Sequence, residues 1–303
     1  MGLDVGGTKI AGAVVTARGE IQFSMQEPTQ AWEGPEALMR RLIVMAADLR
    51  DRRPDVAAIG VASAGQIDHR HGTVVYANQN LPGWTGMQIA DRLSDALSLP
   101  VSVDNDVRAL ALAEAHWGAG TDSRVLLVAA LGTGVGGAIV LDGQLFRGVG
   151  NSAGELGHIP VTASGPRCGC GNRGCLEAYA GGPRIAAAYA RATGTAVQDL
   201  RAVATAARHG DERAVAVFAR VGRLLGRGLA GLANTLDPDR LVLGGGVAEV
   251  GDILLAPLRE SLTSHLLPPV RARLAVRTAA LGAEAGILGA AFLALQENQD
   301  RLA

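Results

Sequence analysis

Basic charge in excess, long apolar runs and cysteine are all scarce in this chain, and each scarcity excludes something. The formal net charge is -1. A nucleic-acid face needs clustered Lys and Arg, so none is expected. No apolar run approaches the roughly 20 residues of a membrane-spanning helix. Residue 1 leads almost at once into a glycine motif, which leaves no room for a signal peptide. The expectation is a cytoplasmic protein that partners neither membrane nor nucleic acid. Only three cysteines occur, Cys168, Cys170 and Cys175. An odd number packed this tightly is a poor disulfide framework, and without an export signal metal binding is the better reading.

What the chain does have is apolar content and glycine. The 303 residues are 48% hydrophobic, ample for a packed core. At roughly 100–200 residues per domain, two domains are expected. Residues 2–23 read as a strand meander. Residues 34–50 carry helical periodicity, and 86–97 look helical. Ala57 to Ala62 is an apolar strand ending at Ser63-Ala64-Gly65. A strand from Pro100 gives way at Asn105-Asp106 to a helix. Residues 125–131 and 137–141 then repeat the paired strands of the N-terminus. Residues 160–175 form a loop rich in Gly, Pro and Cys, and long helices fill 183–234. Arg240 to Leu243 is a short buried strand, and 284–296 a small-residue helix. The pattern is a duplicated mixed α/β unit. The expected domains are 1–110, with a helix at about 290–303 packing back onto it, and 111–289.

Two glycine turns stand out. The first is Asp4-Val5-Gly6-Gly7-Thr8-Lys9, and the second is Gly132-Thr133-Gly134-Val135-Gly136-Gly137. Each joins two strands. Glycine lets backbone N–H groups approach a ligand, and a concave row of them binds anions. The bland reading is a pair of ordinary hairpin turns. Two copies, each with a threonine at the tip, favour a polyphosphate clamp facing from two halves. The second turn contains G-x-G-x-x-G, but a strand follows where a dinucleotide fingerprint needs a helix. Lys9 lacks the spacing and the following Ser or Thr of a Walker P-loop. Asp4 stands where it could reach a metal on the phosphates, or simply cap the turn. Gly244-Gly245-Gly246 permits close approach of something flat, such as a nucleobase, but taken alone it signals only a loop.

Cys168-Gly-Cys170 and Cys175 make a compact thiolate loop, and His158 stands upstream after Gly154-Glu155-Leu156-Gly157. A Cys3His site follows, with zinc as the expected ion. Four protein ligands close such a site, which makes it structural. The free nitrogen of a metal-bound His158 can still meet a substrate hydroxyl. Asp106, at a strand end, is either a helix N-cap or a base. Its company favours the base: Glu155, His158 and Glu177 flank the zinc loop, and Asn80 and Gly65 lie in strand-end turns. Such groups suit a polyol. Phosphoryl transfer to an alcohol needs a phosphate clamp, an in-line acceptor and a positioned base, and Asp106 is the candidate base.

These residues resemble the ROK family, and within it the bacterial glucokinases. The matching stretches are LDVGGTK (3–9), NLPGW (80–84), DND (104–106), the run from 131 to 158, CGCGNRGCLE (168–177) and LGGGV (243–247). The resemblance implies a duplicated actin-like ATPase (ribonuclease H-like) fold, with two domains around a central cleft closing over ATP and sugar. It implies a homodimer or homotetramer. It implies Asp106 as general base, and sugar contacts from Asn105, Asp106, Glu155, His158 and Glu177, with Asn80 and Gly65 nearby. The phosphate set is Asp4, Gly6, Gly7, Thr8, Lys9, Gly132, Thr133, Gly134, Gly245 and Gly246. His158, Cys168, Cys170 and Cys175 match the family's zinc ligands. There are departures. Arg108 stands where the family often has Asn, Val61 to Gly65 replaces a Gly-x-Pro-Gly form, and the first strand is short.

The activity so implied is ATP-dependent phosphorylation of the C6 hydroxyl of D-glucose, with Mg2+ on the nucleotide and structural Zn2+. Fructokinase and N-acetylglucosamine or N-acetylmannosamine kinases share the scaffold, and polyphosphate replaces ATP in some relatives. Glu177 and the LPGW turn resemble the glucokinases. Sugar-responsive repressors resemble the chain too, but carry a helix-turn-helix ahead of the first glycine motif. None stands there in this sequence.

Overall fold

A computed structural model describes residues 1–298. The chain forms two compact units. Among the described residues, one comprises Met1–Thr121, Gly143–Asn151 and 280–298, and the other Asp122–Asp142 and Ser152–Ala279.

The first unit is built on strands β1 (Gly2–Val5), β2 (Lys9–Val15), β3 (Ile21–Pro28) and β4 (Ile59–Ser63), the hairpin β5 (Gln66–Asp68) and β6 (Thr73–Tyr76), and β7 (Val101–Asn105). The main sheet runs β3-β2-β1-β4-β7. Short turns make β1–β2 and β2–β3 antiparallel. The pairs β1–β4 and β4–β7 are parallel. Parallel neighbours need a crossover. The helix Pro35–Arg52 supplies one, and the hairpin with the helix Ile89–Leu97 supplies the other. Leu38, Met39, Leu42, Met45 and Leu49 recur at helical spacing and bury one face of Pro35–Arg52. They pack in one cluster with Leu3, Val5, Ile10 and Val61.

The opposite face of this sheet meets helix Ala285–Glu297, which also packs against helix Asp106–Trp117. Backbones approach closely there, and glycine is the reason. A Cβ on Gly60 would stand 1.6 Å from the Ala290 carbonyl oxygen, and one on Gly289 1.7 Å from that of Ala109. The buried Glu114 carboxylate fixes the return of the chain by accepting from the backbone N–H of Ala119, Ala280 and Leu281. The helix anticipated at 290–303 is thus Ala285–Glu297, and residues 299–303 lie outside the described residues. The two-residue strand β10 (Gln144–Leu145) also belongs to this unit.

The second unit repeats the pattern with β8 (Val125–Leu131), β9 (Val135–Leu141), β11 (Arg240–Gly244) and β12 (Ala275–Thr278). β8 pairs antiparallel with β9 and parallel with β11, which pairs parallel with β12. The register matches the duplication read from sequence. Helix Glu212–Leu236 begins at Asp211, whose carboxylate accepts from the Ala214 N–H at 2.9 Å. Its apolar stripe of Phe218, Val221, Leu225 and Leu229 packs in one cluster with Leu254, Leu258 and Leu262 of helix Asp252–His265. No helix among the described residues is long and apolar enough to cross a membrane.

Candidate active site

In the first unit, β7 ends where helix Asp106–Trp117 begins. Asn105 is the cap. Its side-chain oxygen accepts from Val107 N at 3.0 Å and Arg108 N at 3.3 Å. Such a cap is worth about 1 kcal/mol. The capping role therefore falls to Asn105, and Asp106 is the first helical residue. The Asn105 amide donates to the Gly65 carbonyl at 2.9 Å and to Asp106 Oδ1 at 2.8 Å. Asp106 Oδ1 also accepts from Val107 N at 2.9 Å. The carboxylate is oriented by two donors at the positive end of a helix, which suits an anion. Gly65 has φ +111°, and a Cβ on it would meet the Tyr76 carbonyl oxygen at 2.4 Å.

The first glycine turn is closed by Gly6 N donating to the Lys9 carbonyl at 3.1 Å. Buried Thr29 braces it from the neighbouring strand end. Its hydroxyl donates to the Gly6 carbonyl at 2.6 Å and its N–H to that of Thr8 at 3.0 Å. Thr8 and Lys9 are exposed. Asn80 lies against Gly7, where a Cβ would come within 2.9 Å of the Asn80 Cβ. Asp4, one strand residue earlier, has its pKa raised to about 6 by burial, with the charge of Asp106 adding to the rise and Lys9 opposing it. Sequence reasoning missed Thr29, since a lone threonine far along the chain carries no local signal.

In the second unit, Gly132 N donates to the Gly134 carbonyl at 2.9 Å, and the Gly132 carbonyl accepts from Gly182 N at 2.9 Å. Thr133 is exposed at the tip. The loop after β11 is tied to the end of β8 by Val247 N donating to the Leu131 carbonyl at 2.9 Å. Gly245 has φ +86° and leaves no room for a Cβ beside Leu131. A cavity of about 860 Å³ opens against this turn, lined among others by Thr133, Gly182, Ala186, Val197, Leu200 and Gly246. Its volume and apolar wall suit a small-molecule ligand such as a nucleoside. Gly246 was legible in the sequence. The helical wall was not, although Gly182, Ala186 and Ala190 form a small-residue face at four-residue spacing.

Glu177 joins this turn to the cysteine loop. Its Oε2 accepts from Val135 N at 3.2 Å, and its Oε1 stands 3.8 Å from Cys168 Sγ. The ligand atoms of His158, Cys168, Cys170 and Cys175 all lie within 4.8 Å of one another. Cys170 and Cys175 sulfurs are 3.8 Å apart, and Cys168 Sγ is 3.6 Å from His158 Nδ1. Sulfurs around a tetrahedral ion with metal–sulfur bonds of about 2.3 Å stand about 3.8 Å apart. Burial pushes the Cys175 thiol up to about 12. A soft divalent ion reverses that cost by binding the thiolate. The donors present thus fit such an ion. Glu155 is exposed and caps the short turn Leu156–His158, its carbonyl accepting from His158 N at 3.1 Å.

A sequence profile of the ROK family matches residues 1–297. The glucokinase of Halalkalibacterium halodurans is 36% identical, covering 98% of this chain and 95% of its own length. The N-acetylmannosamine kinase of Citrobacter koseri is 37% identical, covering 97% and 98%. Among solved structures, the ROK hexokinase of Thermus thermophilus superposes with a TM-score of 0.87 at 36% identity, over 99% of this chain and 98% of that one. A ROK glucokinase of Streptomyces griseus, in complex with glucose and AMPPNP, does so with 0.82 at 35%, over 97% and 98%. The two mixed sheets are those of the actin-like ATPase fold with its two domains.

Proposed function

The chain belongs to the ROK family, and from that premise we propose that it transfers the γ-phosphoryl group of ATP to the C6 hydroxyl of D-glucose. The observation that carries the reading is Asp106: a carboxylate oriented by Asn105 and by its own helix start, in the unit that also holds the first glycine turn.

Asp106 accepts the hydroxyl proton as the C6 oxygen bonds to the γ-phosphorus. The bond from that phosphorus to the β–γ bridging oxygen breaks, and ADP leaves with the electron pair. The protein's part is positioning and electrostatic stabilisation. The proposed phosphate-binding residues are Asp4, Gly6, Gly7, Thr8, Lys9, Gly132, Thr133, Gly134, Gly245 and Gly246. The cavity beside Thr133 takes the nucleoside. Asp4 is the side chain that would hold Mg2+, which neutralises phosphate charge when bound. The proposed sugar-binding residues are Gly65, Asn80, Asn105, Asp106, Glu155, His158 and Glu177. Both amide hydrogens of Asn105 are engaged by Gly65 and Asp106, so its first task is to hold the base. His158, Cys168, Cys170 and Cys175 would hold zinc, which would fix the orientation of the His158 ring.

The identity of the Citrobacter relative supports a second reading, an N-acetylmannosamine kinase. A coupled ADP-release assay over glucose, mannose, fructose, N-acetylglucosamine and N-acetylmannosamine, with ATP or polyphosphate as donor, separates the two. Highest kcat/KM on glucose with ATP is expected. A clear preference for an acetamido sugar would replace the first reading by the second.

A further inference from the structure

Arg108 is buried two residues after the base, on the same helix, and the phosphoryl-transfer chemistry makes no use of it. A guanidinium is buried only where it is paired and hydrogen-bonded. Its NH1 donates to Asp104 Oδ1 at 3.3 Å and to the Asn151 side-chain oxygen at 3.0 Å, and its NH2 donates to the Asn151 carbonyl at 2.6 Å. Asp104 is fully buried, and its other oxygen accepts from Arg147 Nε at 2.8 Å. Asp104 Oδ1 also accepts from the backbone N–H of Asn105 at 2.8 Å. Asn151 sits at φ +57° and donates its side-chain amide to the Ile67 carbonyl.

These bonds close a ring. Asn105 donates to Gly65, and the chain runs two residues on to Ile67. Ile67 accepts from Asn151, Asn151 accepts from Arg108, and Arg108 donates to Asp104, which accepts from Asn105. Asn105 in turn holds Asp106. We propose that Arg108 is a positioning residue for the base: it fixes the height and direction of the Asn105–Asp106 shelf by locking Asp104 to Asn151. The proposal rests on the kinase reading for its consequence in turnover, and on the ring alone for its consequence in structure. Asn151 is also the last residue of its unit before the chain enters the other at Ser152. Arg108 therefore anchors the chain where it departs toward Glu155.

The test uses Arg108→Met, Arg108→Lys and Asn151→Ala in the full chain. Lysine keeps the charge but cannot fork between two partners. A displacement near 1 Å at the reacting groups costs up to about 100-fold in rate. At temperatures well below each variant's Tm, Arg108→Met and Arg108→Lys are expected to lower kcat roughly 10- to 100-fold while the KM for ATP stays within about twofold. Asn151→Ala should match them, and the Arg108→Met/Asn151→Ala double variant should lose no more than either single change, because they break one ring. Folded Arg108→Met with parental kcat, or losses that multiply, overturns the proposal. Hydrogen–deuterium exchange supplies a readout that needs no activity. Exchange should rise at residues 104–108 and 65–67 and stay parental in the second unit, and unchanged exchange at 104–108 overturns the ring. If the parent phosphorylates no sugar but the exchange result holds, the kinase reading fails and the ring stands.

Discussion

Asp4 and Asp106 repel one another across the start of the first unit. Burial lifts the Asp4 carboxyl to about 6, the Asp106 charge pushes the same way, and Lys9 only partly offsets them. The cost is a fold destabilised at neutral pH by its own buried carboxylate.

That destabilisation has a definite sign. Asp4 titrates near 4 when unfolded and near 6 when folded. Between those values the folded state binds more proton, so stability falls as pH rises. The penalty is complete above about pH 6 and amounts to at most about 3 kcal/mol. Asp4→Asn removes it. The Tm of the variant should exceed that of the parent at pH 7, with the gap shrinking toward zero at pH 4, while phosphoryl transfer is lost. Thermal melts of the ligand-free proteins across that range check it, and a gap that does not change with pH contradicts the assignment.

Asp106→Asn keeps the size of the side chain and an acceptor for the Asn105 amide, but accepts no proton. General-base catalysis contributes roughly 100- to 10,000-fold. Turnover should fall by at least the lower figure while glucose affinity, read by calorimetry, stays near the parental value. Turnover close to parental would remove Asp106 from the role of base.

Cys170→Ser takes one of four donors from the cluster with His158, Cys168 and Cys175. Elemental analysis of the purified chain should show zinc near one equivalent in the parent and a marked loss in the variant. Melting temperature and glucose affinity should fall together, since His158 and Glu177 are held at that cluster. Unchanged metal content rejects the ligand set.

Lys9 is the only lysine in the 303 residues, and it is exposed at the first glycine turn. The amine at Met1 is buried and donates to the Ala58 carbonyl at 2.7 Å, which shields it from a bulky reagent. An amine-directed acylating reagent at pH 8.5 should therefore modify Lys9 first. ATP should slow that reaction if Lys9 lies on the phosphates, and mass spectrometry of the digested chain reads the result. Labelling indifferent to ATP would take Lys9 out of the phosphate-binding set.

Local signals in the sequence were strong where the structure is locally built. Helical spacing over 34–50 becomes Pro35–Arg52, and the strand at 240–243 becomes Arg240–Gly244. The Cys168–Cys175 loop and His158 meet as their residue types suggested. Features made by distant pairs left no such trace. Thr29 reaches back to Gly6, Arg108 reaches forward to Asn151, and neither partner follows from periodicity. The membership of Gly143–Asn151 in the first unit is of the same kind. Asp106 was legible as a candidate base, but the division of labour with Asn105 depends on side-chain rotamers that spacing does not encode.

Helix Ala285–Glu297 has a consequence for biosynthesis. The strand β1 is covered by this helix, which leaves the ribosome long after it. Until then Gly2 and Gly60 offer a bare groove where the Ile287 and Ala290 backbone will lie. Maturation of the half that holds Asp106 must wait until Ala285–Glu297 has been made, whereas the other half, whose residues run no further than Ala279, can settle earlier.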